Sequence, residues 1–365
     1  MTVPYRYLTQ DVLTGEWLSL DLPLTNVEFG PQLNGPGHLK GELSPRLTHT
    51  AIDLVNPGNT LIYVERDGLL RWGGIIWQAE PEDNTLTIEA SGWTSYLHKR
   101  HDLDGELGER GPYVYADPCQ IARDIVAYAQ SVPDGDPGFV VDDTTSAART
   151  GTPADPWHSR WWENPVLGDQ FDNLFKPADS PDYTCTVHWD DQHRPVRRIQ
   201  LGYPRLGARR TDIYFSTGIN VIDNEPVTYS ADEYAQVVIA TGVGEGRAKQ
   251  RSTDAVRNGR LRLEKVLDLP DVRGVDVLAE RARAERTWRQ VVGTVEQITV
   301  RDHPAAPIGS WQVGDDVHVT VRNQWTNFSG WCRVTGWTVH PSTPGGESAT
   351  LTLDPAESYH YGLAS

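Results

Sequence analysis

Residues 61–100 read LIYVERDGLLRWGGIIWQAEPEDNTLTIEASGWTSYLHKR, and the fold turns on how this stretch divides into strands. An apolar run, Leu61 to Val64, leads to Asp67-Gly68, a pair that tolerates positive φ at both positions and so favours a tight β-hairpin. A second strand follows from Leu69 to Trp77, with Gly73-Gly74 in its middle. Paired glycines inside a strand mark a bulge or bend, as at the corner of a small barrel. Pro81 to Asn84 turns the chain again. Thr85 to Ala90 then alternates, with Leu86, Ile88 and Ala90 on one face and Thr85, Thr87 and Glu89 on the other, the period of a half-buried antiparallel strand. Three short strands joined by tight turns are a piece of a barrel.

A second such set closes the chain. Val317, Val319 and Val321 alternate with His318, Thr320 and Arg322, and the polar loop Asn323 to Gly330 follows. Trp331 to His340 (WCRVTGWTVH) resembles Trp72 to Trp77, Pro341 to Gly346 turns, and Ala349 to Leu353 (ATLTL) resembles Thr85 to Ile88 (TLTI). The shared order predicts two like-folded barrel halves that superpose strand for strand. If both stretches instead belong to one continuous sheet, the likeness is an accident of hairpin chemistry.

With 365 residues the chain has room for two or three domains, and its 25 Pro, 33 Gly and many short alternating runs favour a β-rich fold over a helical bundle. No apolar window reaches the length of a membrane span, so no membrane insertion is expected, and MTVPYRYLTQ lacks the basic-then-apolar pattern of a secretory signal. Cys119, Cys185 and Cys332 are odd in number and far apart, which fits neither a disulfide framework nor a zinc site and predicts reduced, buried thiols. A net charge of -17 argues against non-specific binding of nucleic acid or anionic membranes, and it suits a surface past which DNA slides without sticking. Only five of the 33 basic residues are lysine, a skew expected of a GC-rich genome.

Taken in order, residues 1–102 read as the first barrel, with strands at Tyr5–Leu8, Glu16–Leu20, Val27–Phe29 and Leu39–Leu43 ahead of the central stretch. Residues 103–232 form an intervening α+β region whose last strands are expected to return to the first barrel. Asp117 is a good N-cap and Pro118 suits the first helical position of a helix that buries Ile121, Ala122, Ile125, Val126 and Ala129. A long loop, 133–165, carries Trp157, Trp161 and Trp162; they read as capping a hydrophobic edge of their own domain, the alternative being a partner- or sugar-stacking patch. A short helix is expected over Val166–Phe175, then strands over Tyr183–Trp189, Val196–Leu201 and Asp212–Phe215. Six arginines between 194 and 210, with no acid among them, predict pairing with acids of a neighbouring subunit or plain solvation. Residues 233–365 form the second barrel, with an inserted helix near 275–289 that turns Val275, Leu278, Ala279 and Ala282 inward.

No sequence pattern of a nucleophile elbow, a zinc protease helix or a phosphate-binding loop is present, and TGVGEG at 241–246 is followed by Arg247 where a dinucleotide loop needs its third glycine. His188, Asp190 and His193 could in principle ligate a metal, but Asp-Asp-Gln-His before Arg-Pro is β-turn composition. The expectation is therefore no catalytic residue, no cofactor, no metal and no enzymatic activity.

Beyond these local readings, VERDGLLRWGGIIWQAEPEDNTLTIEASGWTSYLHKR resembles the first-barrel signature of phage tail hub proteins, the minor tail proteins of long-tailed actinobacterial phages, related in fold to the baseplate hub of contractile-tailed phages. INVIDNEPVTYSADEYAQVVIATGVGEG resembles their link into a second barrel, and WQVGDDVHVTVRNQWTNFSGWCRVTGWTV that barrel itself. The resemblance implies a mainly β chain with α+β insertions and two similar small β-barrels, assembled as a homotrimer. It implies a structural virion protein at the distal end of the tail, made in the host cytoplasm, that joins a sixfold tail tube to a threefold tip and lines the DNA exit channel. Its implied partners are its own copies, a distal tail ring protein, a tape-measure protein and tip or receptor-binding proteins, with DNA passing but not bound. Many relatives continue into a lysin or receptor-binding extension; this chain stops at Ser365, so wall-degrading activity is expected elsewhere. Two other readings are a hexameric distal tail ring protein and a tail-associated glycan binder, the latter supported by thirteen tryptophans.

Overall fold

The computed structural model describes residues 5–44, 54–82, 84–103, 105, 107, 110–177, 180–224, 226–270, 272–290, 293–343 and 346–356. The N-terminal third supplies β1 (Arg6–Asp11), β2 (Trp17–Ser19), β3 (Leu24–Gln32), β4 (Gly35–Leu43), β5 (Thr60–Arg66), β6 (Leu69–Glu82) and β7 (Thr85–Ser91). The middle holds α1 (Pro118–Gln130), β8 (Phe139–Val141), α2 (Leu167–Leu174), β9 (Asp182–Trp189) and β10 (Pro195–Gly202). Then come β11 (Arg209–Ser216), β12 (Val221–Asn224), β13 (Thr228–Tyr229), β14 (Val237–Thr241), β15 (Arg251–Ala255) and β16 (Glu264–Asp268). The chain ends with α3 (Val275–Trp288), β17 (Gly293–Thr294), β18 (Gln297–Arg301), β19 (Asp316–Arg322), β20 (Asn327–Thr343) and β21 (Gly346–Pro355).

Asp67 and Gly68, at φ 56° and 74°, close the β5–β6 hairpin as their residue types demand. The neighbouring glycine pair does something other than bulge. A Cβ on Gly73 would lie 2.8 Å from the Trp93 ring, and one on Gly74 would lie 2.5 Å from the Ser91 carbonyl oxygen, so both are sites of close approach. The register shifts fall beside them, at Arg71 against β5 and at Trp77 against β7. A bulge leaves one residue out of the pairing and re-aims its side chain.

Both hairpin sets lie in one continuous sheet of thirteen strands among the described residues, and no closed barrel is found there. This corrects the expectation of two separate barrels: the path runs from β12 through β18, β21 and β20 into β3, β4, β7, β6, β5, β1 and β2. The seam is the pairing of β20 with β3, Gly336 opposite Gln32 and Val339 opposite Phe29. What does recur is strand order. In the first half β3-β4-β7-β6-β5 are neighbours, in the second β12-β18-β21-β20-β19, all antiparallel. The long middle strand is bulged at a matching place: β6 skips Trp77 between Ile76 and Gln78, and β20 skips Thr335 between Val334 and Gly336. Aligning those bulges sets Ile88 beside Leu351, since Ala79 pairs with Ile88 and Trp337 with Leu351. The Thr-Leu-Thr runs are therefore two residues out of register, so the sequence likeness of the two hairpin sets is an accident of hairpin chemistry, and what recurs is the strand order rather than the sequence. The halves differ at their outer strands, for β1 runs antiparallel to β5 whereas β11 runs parallel to β19.

One core spans the two halves. Ile62, Val64, Ile76, Ile88 and Ala90 meet Val317, Val319, Val334, Leu351 and Leu353 in a single buried cluster. On the opposite face of the first half, Leu61, Tyr63 and Ile75 pack under α1, α2, β9 and β10 in a second cluster with Ile121, Ile125, Phe171 and Ile199. Asp117 caps α1 as its sequence predicts, accepting from the Cys119 backbone N–H at 2.9 Å. The expected return of the last middle strands to the first barrel does not occur, for β11 and β12 pair with β19 and β18. Between β12 and β18 the chain makes an excursion, a three-stranded sheet β15-β14-β16 packed on α3 through Ala235, Val238, Ala240, Leu278 and Ala282. Leu278 and Ala282 face inward as read, whereas Val275 is 52% exposed because it opens the helix before the sheet covers it.

Candidate functional site

The strongest electrostatic feature sits where β9 meets the second half-sheet. Arg333 on β20 is 1% exposed and donates to Asp182 Oδ2 on β9 at 2.6 Å. The same carboxylate oxygen accepts from the Leu206 backbone N–H at 2.9 Å. A buried charge is tolerated only when paired and hydrogen-bonded, so this contact ties the middle layer to the C-terminal half. The bulge alignment sets Arg333 at the position of Ile75 in the first half, where the same register carries an apolar residue.

The arginine run continues that network and corrects the expected pairing with a neighbour's acids. Arg205 makes a two-pronged contact with Asp316, 2.9 Å to each carboxylate oxygen, and Arg209 lies 3.6 Å from the same group and over the Trp331 ring. Arg210 pairs with Asp212 at 2.7 Å and Asp315 at 3.3 Å, Arg194 with Asp190 at 2.9 Å. Arg197 donates to the Tyr63 hydroxyl at 2.8 Å and to Gln10 Oε1 at 2.7 Å. The acids are within the same chain but a hundred residues away in the case of Asp315 and Asp316, which no local reading reveals.

Asp190 terminates β9 in a turn, with Oδ1 accepting from the Gln192 and Arg194 backbone N–H groups at 2.9 and 2.8 Å and Oδ2 from the Arg194 guanidinium at 2.9 Å. These donors hold its carboxyl below the usual range, the Arg194 backbone N–H foremost. His193, at φ 60°, stacks on Trp189 with centroids 4.9 Å apart, while His188 points to the exposed side of β9. Asp190 and His193 thus serve the turn and His188 the strand before it, and no group of three or more potential metal ligands gathers among the described residues. Nor is any helix there long and apolar enough to cross a membrane.

In the long loop, Trp157 packs edge-on against Tyr113 at 5.5 Å and reaches the second core cluster, as a capping residue does. Trp162 is 60% exposed. Beside them Trp157, His158, Arg160, Glu163 and Gln170 line an open cavity of about 360 Å³. Elsewhere Trp325, in the β19–β20 turn, is 91% exposed, and Tyr229 and Ile222 are exposed along β13 and β12.

No family model matches the chain, and no curated protein matches it. Solved structures do share its fold over nearly its whole length. The 43 kDa tail protein of prophage MuSo2 from Shewanella oneidensis is 13% identical with a TM-score of 0.59, covering 97% of this chain and 99% of its own. The tail protein from Neisseria meningitidis MC58 is 11% identical with a TM-score of 0.58, covering 98% and 99%. Prophage tail protein gp18 from Listeria monocytogenes is 9% identical with a TM-score of 0.54, covering 96% and 95%. At such identities the likeness is one of fold: this chain is built like phage tail proteins from end to end.

Proposed function

We propose that this chain is a structural virion protein, the hub at the distal end of a phage tail, and that it works as a homotrimer. The observation that carries the reading is the recurrence of one strand order, β3-β4-β7-β6-β5 and β12-β18-β21-β20-β19, in the two halves of one sheet. Three chains then present six like units, which reconciles a sixfold tail tube with a threefold tip. The fold shared with three tail proteins supports the setting. Residues 1–102 form the first unit, 103–208 the layer that covers it, and 209–365 the second unit with its excursion over 226–294. The tube side contacts a distal tail ring protein, the tape-measure protein occupies the channel before ejection, and tip or receptor-binding proteins sit below. Part of the -17 net charge lines the channel, so that phosphates meet like charge and do not adhere. With Arg194, Arg205, Arg209 and Arg210 engaged by acids of the same chain, few guanidinium forks of the run are left to grip passing phosphate. The role is structural rather than catalytic, and the arginine-over-lysine skew supports a GC-rich genome. A structure of the assembled tail tip tests this: three copies of the chain in a ring are expected, and a ring of any other order, or an arginine-lined lumen, overturns the trimer or the charge assignment respectively.

A further inference from the structure

A second cavity, of about 170 Å³, lies between β6, β9, β20 and the 312–313 segment. Trp72, Val187, Leu206 and Val313 give it apolar walls. Two hydrogen-bond donors that line it have no partner among the described residues: the buried Nε of Arg71 and the buried Nε1 of Trp337. Trp189, Arg198 and Trp311 also bury an unpartnered N–H, but only Arg71 and Trp337 do so beside one cavity. Burying a donor without a partner costs about 1–3 kcal/mol, and more for a charged one, so an acceptor held in the cavity would recover that cost.

Arg71, like Arg198, has a buried Nε and no hydrogen-bond or ion-pair partner among the described residues, but Arg71 alone of the two lines this cavity. Arg66, Arg205, Arg210 and Arg333, each half-buried or deeper, have carboxylates at 2.6, 2.9, 2.7 and 2.6 Å. Arg71 has none among the described residues. Its place follows from the backbone: the register slips at Arg71, with Val64 opposite Trp72 and Glu65 opposite Leu70, and this bulge takes the side chain out of the strand's alternation. The guanidinium then rests against Gly309, where an added Cβ would lie 3.1 Å from Nη1.

We propose that this cavity binds an organic acid, a single carboxylate carried on an apolar body of about ring size. The volume fits, since an apolar cavity of about 150 Å³ holds a benzene ring. The ring lies against Trp72, Val187, Leu206 and Val313, and the carboxylate accepts from Arg71, with Trp337 Nε1 as second donor. A phosphate suits the apolar walls poorly, and a neutral apolar molecule leaves both donors unmet. The assignment concerns a site inside one chain and stands independently of the hub reading.

Two of the lining residues are tryptophans, so intrinsic fluorescence reads occupancy in the intact protein. Phenylacetate is expected to change the emission saturably, and phenylacetamide, alike in shape but uncharged, to bind about tenfold more weakly, the loss expected of a charge-assisted contact. Arg71→Gln should erase the preference for the acid, while Arg71→Lys retains part of it. Should R71Q fail to fold, Trp337→Phe keeps the wall, removes the second donor and should weaken phenylacetate several-fold. A peptide ending in a free phenylalanine carboxylate distinguishes the sources: binding as tight as phenylacetate assigns the site to a chain terminus, weaker binding to a free acid. Equal affinity for acid and amide, a preference that survives R71Q, or no saturable response at 10-millimolar order (~10 mM, weaker than the millimolar range of specific small-ligand binding) overturns the proposal.

Discussion

The two halves of the sheet share a strand order and differ in what lies on their outer faces. In the first half β5 is buried on both sides: Ile62 and Val64 enter the shared core, and Leu61 and Tyr63 enter the one beneath α1 and α2. In the second, Val317, Val319 and Val321 enter the shared core while His318 and Thr320 on the other face are only partly covered. Hence the continuous run LIYV in one and the alternation VHVTV in the other, the sequence signatures of two-sided and one-sided burial. A topology can repeat while its pattern of apolar residues changes, because pattern reports cover and not connectivity.

The sharpest contrast is Ile75 against Arg333, two residues at one register position. Asp182→Ala removes the Asp182 carboxylate from the buried Arg333 and should cost about 3–5 kcal/mol in denaturant unfolding. Ile75→Ala, the mirror experiment, should cost about 2–5 kcal/mol through its cavity. Replacing both charges, Arg333→Ile with Asp182→Leu, should cost much less than Asp182→Ala alone. A single-variant cost below about 1 kcal/mol, the worth of an exposed pair, would mean that the ion pair does not anchor the second half.

Alkaline titration separates the two covers by a different route. Burial holds the Tyr63 phenol protonated, pushing it up to about 12 from an ordinary 10.0. The folded state keeps that proton after the unfolded state has lost it, so this stabilisation is present below pH 10 and disappears as pH rises to 12. Tyr183, beneath the same cover, is shifted upward as well, by burial and then by Asp172. Tyr63 alone should account for about 2–3 kcal/mol over that window. The second half carries His318 where the first carries Tyr63, so Tyr63→Phe should flatten the alkaline slope and His318→Phe should leave it unchanged.

The seam between the halves rests on close backbone approach. A Cβ on Gly30 would lie 1.6 Å from the Trp337 carbonyl oxygen, whereas on Gly336, at the same seam, it would find no atom nearer than 3.6 Å. Gly30→Ala should lower stability by about 1–3 kcal/mol, as overpacking does, and Gly336→Ala should be close to neutral. Equal effects in thermal melts would show that the seam is not tightly packed.

The smallest effect expected is none at all. Cys119, Cys185 and Cys332 are buried, and burial pushes the Cys119 thiol up to about 12 and Cys185 upward too. No thiol should react with a disulfide reagent at pH 8 before unfolding. In graded denaturant Cys332, in the shared core, and Cys185, in the second cluster, should become reactive together, because the Arg333–Asp182 pair ties β9 to β20; earlier labelling of Cys332 would show that the second half opens as a separate unit.

Much was legible in residue order. Asp67-Gly68 placed a hairpin, Asp117-Pro118 opened a helix, and the alternation of Val317 to Val321 gave a half-buried strand, since turns, caps and periodicity act through neighbours in sequence. The glycine pair at 73–74 reads as a bulge or bend because bend and close approach call for the same residue, and only the Trp93 ring and the Ser91 carbonyl separate them. The arginine run was legible as charge but not as pairing: Asp315 and Asp316 reach it through the parallel β11–β19 contact. Arg71 carried no sequence signal, for its isolation depends on a register slip. By itself, then, the sequence determined the hairpins, the helices and a mainly β chain, where short-range backbone preferences dominate. Whether the two hairpin sets close separately or join in one sheet was left to the tertiary structure. That outcome rests on a two-pair seam, a glycine able to approach Trp337, and a core shared by residues more than two hundred positions apart.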